Sequence, residues 1–349
     1  MLLQENIPLA PLTTFKIGGP ARLFVEANSR SEVEEAVRFA RQRDLLLFIL
    51  GGGSNLLISD AGWPGLVLKI GITGIDRRPG MDEGGVLFDV GAGESWDRFV
   101  SHAVVAQCAG VECLSGIPGS VGGTPVQNVG AYGQEVSGTI DSVEVFDRRD
   151  GQVRELCNQA CEFSYRSSIF NTSERDRFII LRVTYALVPG GEPHLEYADL
   201  QRHFAGRETR PSLAETREAV RHIRARKGML IVPGDSDGQS AGSFFKNPVL
   251  SNEEHADLEK RAHAKGLTIP RYPALTQMHK VSAAWLVEHS GFARGFGYGH
   301  VGISSKHSLA LVNRGGATAT EVLALKDEIQ HRVEEIWGVR LEPEPVFVG

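Results

Sequence analysis

The 349-residue chain has little sulfur, no basic excess and no long apolar run, and each shortage removes a class of protein. Four cysteines, Cys108, Cys113, Cys157 and Cys161, are too few for a disulfide framework at this length. Buried thiols in a reducing cytoplasm are the expectation. Their C-x4-C and C-x3-C spacings depart from the C-x2-C that opens most structural zinc sites, so no metal is expected. Lysine plus arginine number 37 against 43 aspartate plus glutamate, a net charge of −6. That balance lacks the basic footprint of a general nucleic-acid binder. The longest continuous apolar run, Leu45–Leu50, is far short of the roughly 20 residues of a membrane span. The opening MLLQENIPLA has neither the basic start, the apolar middle nor the cleavage site of a secretory signal.

Glycine is what the chain has in plenty: 40 residues, above the usual ~7%. The length suggests two or three domains at roughly 150 residues each. Strand and helix patterns alternate throughout, a mixed α and β class. Leu45–Leu50 reads as a buried strand, and Leu56–Ile58, Val86–Val90, Val143–Phe146, Phe178–Tyr185 and Pro345–Val348 as further strands. Ser31–Arg41 reads as a helix with a Ser31/Glu34 capping box and an apolar face of Val33, Ala36, Val37 and Ala40. Ser212/Glu215, Ser251/Glu254 and Thr318/Glu321 fit the same box. The last opens a long helix with Val322, Leu325, Ile329, Val333 and Ile336 inward, stopped at Gly338. The polar stretch between Gly190 and Pro211 reads as a domain boundary.

The glycines gather in two loops. One is Gly51-Gly52-Gly53-Ser54-Asn55. The other runs from Gly116 through Pro118, Gly119, Ser120, Gly122 and Gly123 to Gln127, Asn128, Gly130, Ala131, Tyr132 and Gly133. Without Cβ bulk, successive N–H groups can converge on phosphate oxygens; tight turns alone are the other reading. The first loop is not a Rossmann fingerprint, since Leu56 stands where a third glycine belongs and a strand follows. No Walker lysine is present. A dinucleotide pyrophosphate fits, held in some other manner.

Five motifs carry a resemblance. Thr14-Phe15 with Ile17-Gly18-Gly19-Pro20-Ala21, the GGGSN loop, IPGSVGG with QNVGAYG, Tyr165-Arg166-Ser167-Ser168-Ile169-Phe170, and Ala241-Gly242-Ser243-Phe244-Phe245-Lys246-Asn247-Pro248 stand in order, followed by Leu341-Glu342-Pro343-Glu344. Together the chain resembles the UDP-N-acetylenolpyruvoylglucosamine reductase family, in its first subtype with a tyrosine loop. The resemblance implies an α+β fold: a two-lobed FAD-binding domain of the vanillyl-alcohol-oxidase-like (PCMH-type) class plus a C-terminal α+β substrate domain. The lobes would be residues 1–70 and 71–210, the substrate domain 211–349. It implies non-covalent FAD, NADPH as co-substrate, and reduction of UDP-N-acetylglucosamine enolpyruvate to UDP-N-acetylmuramate for peptidoglycan.

That chemistry needs a positioned acid, charge stabilisation beside a carboxylate and a substrate held at attack distance. By resemblance, Ser243 is the proton donor, Arg166 stands beside the enolate and Glu344 polarises or helps protonate the intermediate. On the residues alone, Ser243 reads as a turn serine, Arg166 as a salt-bridge partner and Glu344 as a surface charge. FAD contacts fall on Gly51, Gly52, Gly53, Ser54, Asn55, Pro118, Gly119, Ser120, Gly122, Gly123, Gln127, Asn128, Gly130, Ala131 and Tyr132. Substrate contacts fall on Tyr132, Tyr197, Arg224, Lys227, Asn247, Tyr272, Lys280 and His307, the last standing where some members have glutamine. The basic helix face of Arg217, Arg221 and Arg226 otherwise reads as solvated. Two positions depart from the family: Ser167 where aspartate is frequent, and Val346 where many members have arginine.

With no second dinucleotide fingerprint, NADPH and the sugar nucleotide would share one site in turn, giving ping-pong kinetics. A monomer is expected. Another flavoenzyme of the superfamily would lack the Ser243–Asn247 motif; a silent sugar-nucleotide-binding protein would not need Arg166, Ser243 and Glu344 together.

Overall fold

Val33, Ala36, Val37 and Ala40 recur at helical spacing, and the helix Arg30–Gln42 buries all four. Its cap is Ser29, whose side chain accepts the Glu32 amide. The expected Ser31/Glu34 box is therefore two residues late: Ser31 Oγ lies 3.0 Å from Ser29 Oγ, and Glu34 pairs with Arg30 at 2.8 Å. The computed structural model describes residues 1–80, 85–270 and 278–349. It divides into two compact units that do not follow chain order.

The first unit holds Met1–Ile7, Ala21–Gly53 and Trp63–Arg226. One sheet runs in the order Gln4–Pro8, Pro20–Ala27, Trp63–Ile70, Leu47–Leu50, the last three in parallel register. The apolar run at Leu45 becomes the edge strand Leu47–Leu50, mostly half-buried, with Leu46 61% exposed. An edge strand has one neighbour, so the run is not the buried strand that its composition suggests. The second sheet orders Val153–Cys157, Ile140–Asp147, Phe178–Pro189, Val86–Gly91 and Ile75–Pro79, all antiparallel. On it lies the helix Trp96–Val105, whose Phe99 stacks near Tyr185 with ring centroids 4.8 Å apart. Cys108, Cys113 and Cys161 are buried; Cys157, at the exposed end of an edge strand, is not. The stretch between Gly190 and Pro211 contains the helix Ala198–His203 and lies inside this unit, which continues through the helix Leu213–Arg226.

The second unit takes Pro8–Pro20, Ser54–Gly62 and Lys227–Gly349. Two early segments thus fold with the C-terminal third. Its spine is the helix Ala319–Trp337, capped by Thr318 and Glu321 and ended by Gly338 in the left-handed region. Val322, Leu325, Ile329 and Val333 are fully buried. Ile336 is only half-buried, because the larger Trp337 beside it turns inward. Asp60 holds the helix start, accepting the Ala319 and Thr320 amides at 2.7 and 3.0 Å, where a carboxylate meets the positive end of the helix dipole. The strand Val346–Val348 pairs in parallel with Leu56–Ile58. Gly19 makes the early segment fit: a Cβ there would stand 2.2 Å from Asp60 O. No helix among the described residues is long and apolar enough to cross a membrane.

Candidate active site

In the first unit Gly51–Gly53 of the first glycine loop and the second loop are one surface. Gly52 N–H donates to Ser120 Oγ at 3.1 Å, and a Cβ on Gly52 would stand 2.5 Å from Gly119 Cα. Only glycine permits that approach. Gly52 and Gly123 are exposed, so backbone, not side chain, forms the outward surface. The residues therefore fit a bulky phosphate-bearing cofactor. Part of the loop serves itself: Gly122 N–H donates to Ala92 O at 2.8 Å and Gly123 N–H to Ser120 O at 3.0 Å.

Further along, Gly130–Ala131 and Gln134–Glu135 form a minimal hairpin turning at Tyr132 and Gly133, both at positive φ, the turn that matches strand twist. Tyr132 is buried, its ring edge-on to Tyr197 at 5.4 Å. Arg224 hydrogen-bonds Tyr132 and donates from Nε to Gly116 O at 3.1 Å. Burial pulls its guanidinium below the usual arginine range. Asn128 is buried and fully employed, donating to Glu135 Oε2 at 2.8 Å and Ser164 O at 3.1 Å and accepting from Ser137 N at 3.1 Å. It ties this hairpin to the turn bearing Arg166. There Ser164 and Ser167 exchange backbone bonds of 3.0 and 3.1 Å. Arg166 sits at φ 56° and donates to Gly130 O at 3.0 Å. A bulky residue in the left-handed region is held there by its surroundings, a common mark of functional positions.

In the second unit the Ser243 and Glu344 motifs are neighbours. Phe245 and Pro343 form an antiparallel bridge; Glu344 N–H donates to Phe244 O at 2.8 Å and Lys246 N–H to Glu342 O at 2.9 Å. Thr14 Oγ1 donates to Ser240 O at 2.7 Å and lies 3.3 Å from Ser54 O. Asn55 Nδ2 donates to Glu344 O at 3.2 Å, and Val346 N–H returns to Asn55 O at 2.9 Å. Four motifs scattered over 330 residues of sequence thus converge on Ser243 and Glu344. Ser243 Oγ lies 3.3 Å from His307 Nε2. Burial, then the charges of Lys227 and Arg294, push the His307 imidazole down to about 4, so the ring is neutral at pH 7.

Two family models match separate stretches of the chain. Residues 21–156 match the FAD binding domain family, and residues 233–348 match the C-terminal domain of UDP-N-acetylenolpyruvoylglucosamine reductase. The protein of that name from Streptomyces coelicolor is 47% identical over 99% of this chain and 90% of its own. The one from Thermobifida fusca is 43% identical over 99% and 98%. The chain belongs to the UDP-N-acetylenolpyruvoylglucosamine reductase family. The crystal structure of the Thermus caldophilus reductase superposes with a TM-score of 0.65 at 27% identity, covering all of both chains. The α+β class, with an FAD-binding domain followed by the family's C-terminal domain, follows.

Other expected substrate contacts of the reductase pattern divide. Asn247 Oδ1 accepts the Ala283 amide at 3.0 Å, supporting the start of the helix Ala283–Glu288. Lys280 lies at the end of the strand Met278–Lys280, opposite Val249. Lys227 opens the last segment of the second unit, while Arg224, three residues earlier, is in the first. Tyr272 lies outside the described residues. The helix Leu213–Arg226 is not the solvated basic face its composition suggests: Arg217 makes a bidentate pair with Asp97 at 2.7 and 2.9 Å, and Arg221 joins at 2.9 Å. Asp97 also accepts Gly116 N–H at 2.6 Å, so it fixes the mouth of the second glycine loop. Burial raises its pKa, but the Arg217 and Gly116 bonds and both arginine charges outweigh this and hold it below the usual carboxylate range.

Sequence reasoning missed Asp97 and also Glu112, a fully buried carboxylate accepting from Gly110 N, Gln134 Nε2 and His194 N at 2.8 to 2.9 Å. Through His194 it fixes the root of the Tyr197 segment. The only signal for Asp97 was the i, i+4 arginine pair, which calls for an acid on whatever it faces.

Proposed function

We propose that the chain is an FAD-dependent reductase that uses NADPH to convert UDP-N-acetylglucosamine enolpyruvate to UDP-N-acetylmuramate, a peptidoglycan precursor. The observation that carries this reading is the backbone pairing that sets Ser243 beside Glu344, in a chain whose N-terminal part matches an FAD-binding family. FAD, when bound, supplies hydride transfer from NADPH to the methylene carbon of the enol ether. Gly51 to Asn55 and the segment from Pro118 to Tyr132 would hold it, with Asn128 and Gly122 acting as supports. Residues 1–70 and 71–210 would be its two lobes and 211–349 the substrate domain.

The remaining work belongs to protein side chains. Arg166 would meet the substrate carboxylate with its planar fork. Ser243 gives a proton to the neighbouring carbon, and Glu344 polarises the intermediate. Tyr132, Tyr197, Arg224, Lys227, Asn247, Tyr272 and Lys280 would hold the nucleotide, while His307 stands against Ser243. NADPH and substrate take one site in turn, in a monomeric cytoplasmic enzyme. The departures at Ser167 and Val346 leave these three catalytic positions intact.

The test is direct. The purified protein should be yellow and oxidise more than one equivalent of NADPH per flavin only when the enolpyruvyl sugar nucleotide is present. Initial-rate plots should be parallel, with inhibition at high concentrations of either substrate. Protein that stays colourless and inactive after added FAD overturns the reading; intersecting plots overturn the shared site.

A further inference from the structure

A serine hydroxyl is a poor acid, so whatever touches Ser243 Oγ matters as much as the serine. His307 Nε2 is 3.3 Å away, and the main chain fixes both partners. Phe244, next to Ser243, donates its N–H to Leu309 O at 2.8 Å and accepts Glu344 N–H at 2.8 Å. The His307 turn closes on itself through Ala310 N–H to His307 O at 3.2 Å, and Ser304 N–H donates to Ala310 O at 2.8 Å. The Ser243 segment thus lies hydrogen-bonded between the His307 turn and the Glu344 segment.

We infer that His307 is a positioning residue for Ser243: its Nε2–H donates to Ser243 Oγ, which turns the serine proton away from the ring and towards the substrate carbon. This rests on the proposed role of Ser243 as proton donor. As the Ser243 O–H bond breaks, a C–H bond forms at the carbon beside the substrate carboxylate, whose electron pair takes the proton. The charge developing on Oγ meets the Nε2–H donor, and solvent returns a proton to Oγ. Preorganised donors aimed at developing charge are the strongest single catalytic device.

The surroundings suit a neutral donor. Burial, Lys227 and Arg294 disfavour the imidazolium, while Lys306 on the same turn is tied to Asp235. Neutral imidazole has one N–H, so the inference fixes the tautomer: hydrogen on Nε2, none on Nδ1. Glutamine can present its amide N–H in the same way, whereas leucine cannot.

The experiment uses the FAD-loaded enzyme. His307→Gln should keep the substrate-driven reoxidation rate within about threefold. His307→Leu should lower it about 100-fold, at least tenfold beyond any fall in NADPH-driven flavin reduction, with substrate Kd changed by less than about threefold. A parallel fall of both half-reactions, or a rise in Kd that accounts for the loss, would make His307 a binding residue and overturn the inference. Nitrogen-15 NMR of histidine-labelled holoenzyme gives a second readout. Between about pH 5.5 and 8, His307 should stay neutral with Nε2 protonated; a bare Nε2 accepting from the serine overturns the proposal. Parent enzyme that is not reoxidised by substrate fails the functional reading instead, and the NMR result still decides the tautomer.

Discussion

The two units hold their functional residues by different means. In the first, side chains do it: Asp97 gathers Gly116, Arg217 and Arg221, Glu112 gathers Gly110, Gln134 and His194, and Asn128 bridges to Ser164. In the second, the main chain does most of it: Ser243, Glu344 and His307 sit on three segments joined by backbone hydrogen bonds. A backbone-held site can lose a reactive side chain without losing shape. A side-chain-held loop cannot lose its anchor so lightly.

Ser243→Ala is the largest expected effect and the sharpest check of the second half of this contrast. Turnover should fall about 1000-fold, the loss of a positioned acid, while NADPH still reduces the flavin. Stability should change by no more than about 0.5 kcal/mol, because the hydroxyl is half-buried and the segment is held by Phe244 and Lys246 amides. Stopped-flow half-reactions and urea denaturation measure both. A variant that reduces substrate at the parental rate removes Ser243 from the chemistry; one that unfolds removes the backbone-held picture.

The same contrast explains what the sequence disclosed. Capping boxes at Ser251, Thr318 and Ser212 and the apolar faces of the helices were legible, because each is a local pattern and the structure realises it. The glycine loops were legible as two clusters of exposed backbone, but not as touching each other. Gly52 against Gly119 is a contact across 67 residues, and no local rule contains it. The motifs at Thr14, Asn55, Ser243 and Glu344 were visible singly; that they form one cluster needed the fold. Asp97 and Glu112 stayed hidden because a single acid inside a helix or a 3-10 turn looks like any surface charge. Three donors apiece, and for Glu112 full burial, distinguish them.

Asp97→Ala tests the first half and should cost stability in place of chemistry. Removing the carboxylate strands Arg217, whose side chain is 12% exposed, and frees Gly116. About 2 kcal/mol is expected, below the range for a fully buried pair, because the Asp97 side chain is itself 30% exposed. Adding Arg217→Ala should cost less than the sum of the two single changes, since the stranded charge goes with it. The pH dependence has a definite sign. Asp97 has a depressed pKa in the folded state, so its stabilisation is complete above the unfolded value of about 3.9 and fades as pH falls towards the folded one. Parent and Asp97→Ala should differ fully at pH 7 and converge in acid. Equal stabilities at pH 7 would mean that the first unit does not depend on its charged anchors.

Thr14→Val has the smallest expected effect and separates the two modes most finely. The change keeps volume and removes one hydroxyl, which donates to Ser240 O at 2.7 Å, three residues before Ser243. Losing that bond leaves a carbonyl short of a partner and should cost about 1 kcal/mol. Yet Ser243 is also held through Phe244 by Leu309 and Glu344, so turnover should drop only about threefold, roughly the 0.6 kcal/mol that a slight displacement of the serine represents. If turnover instead falls 100-fold or more while stability barely moves, Ser243 depends on a side-chain tether as the first unit's loops do. The two units would then use one strategy, and the backbone pairing would be scaffolding whose last ångström is set by Thr14.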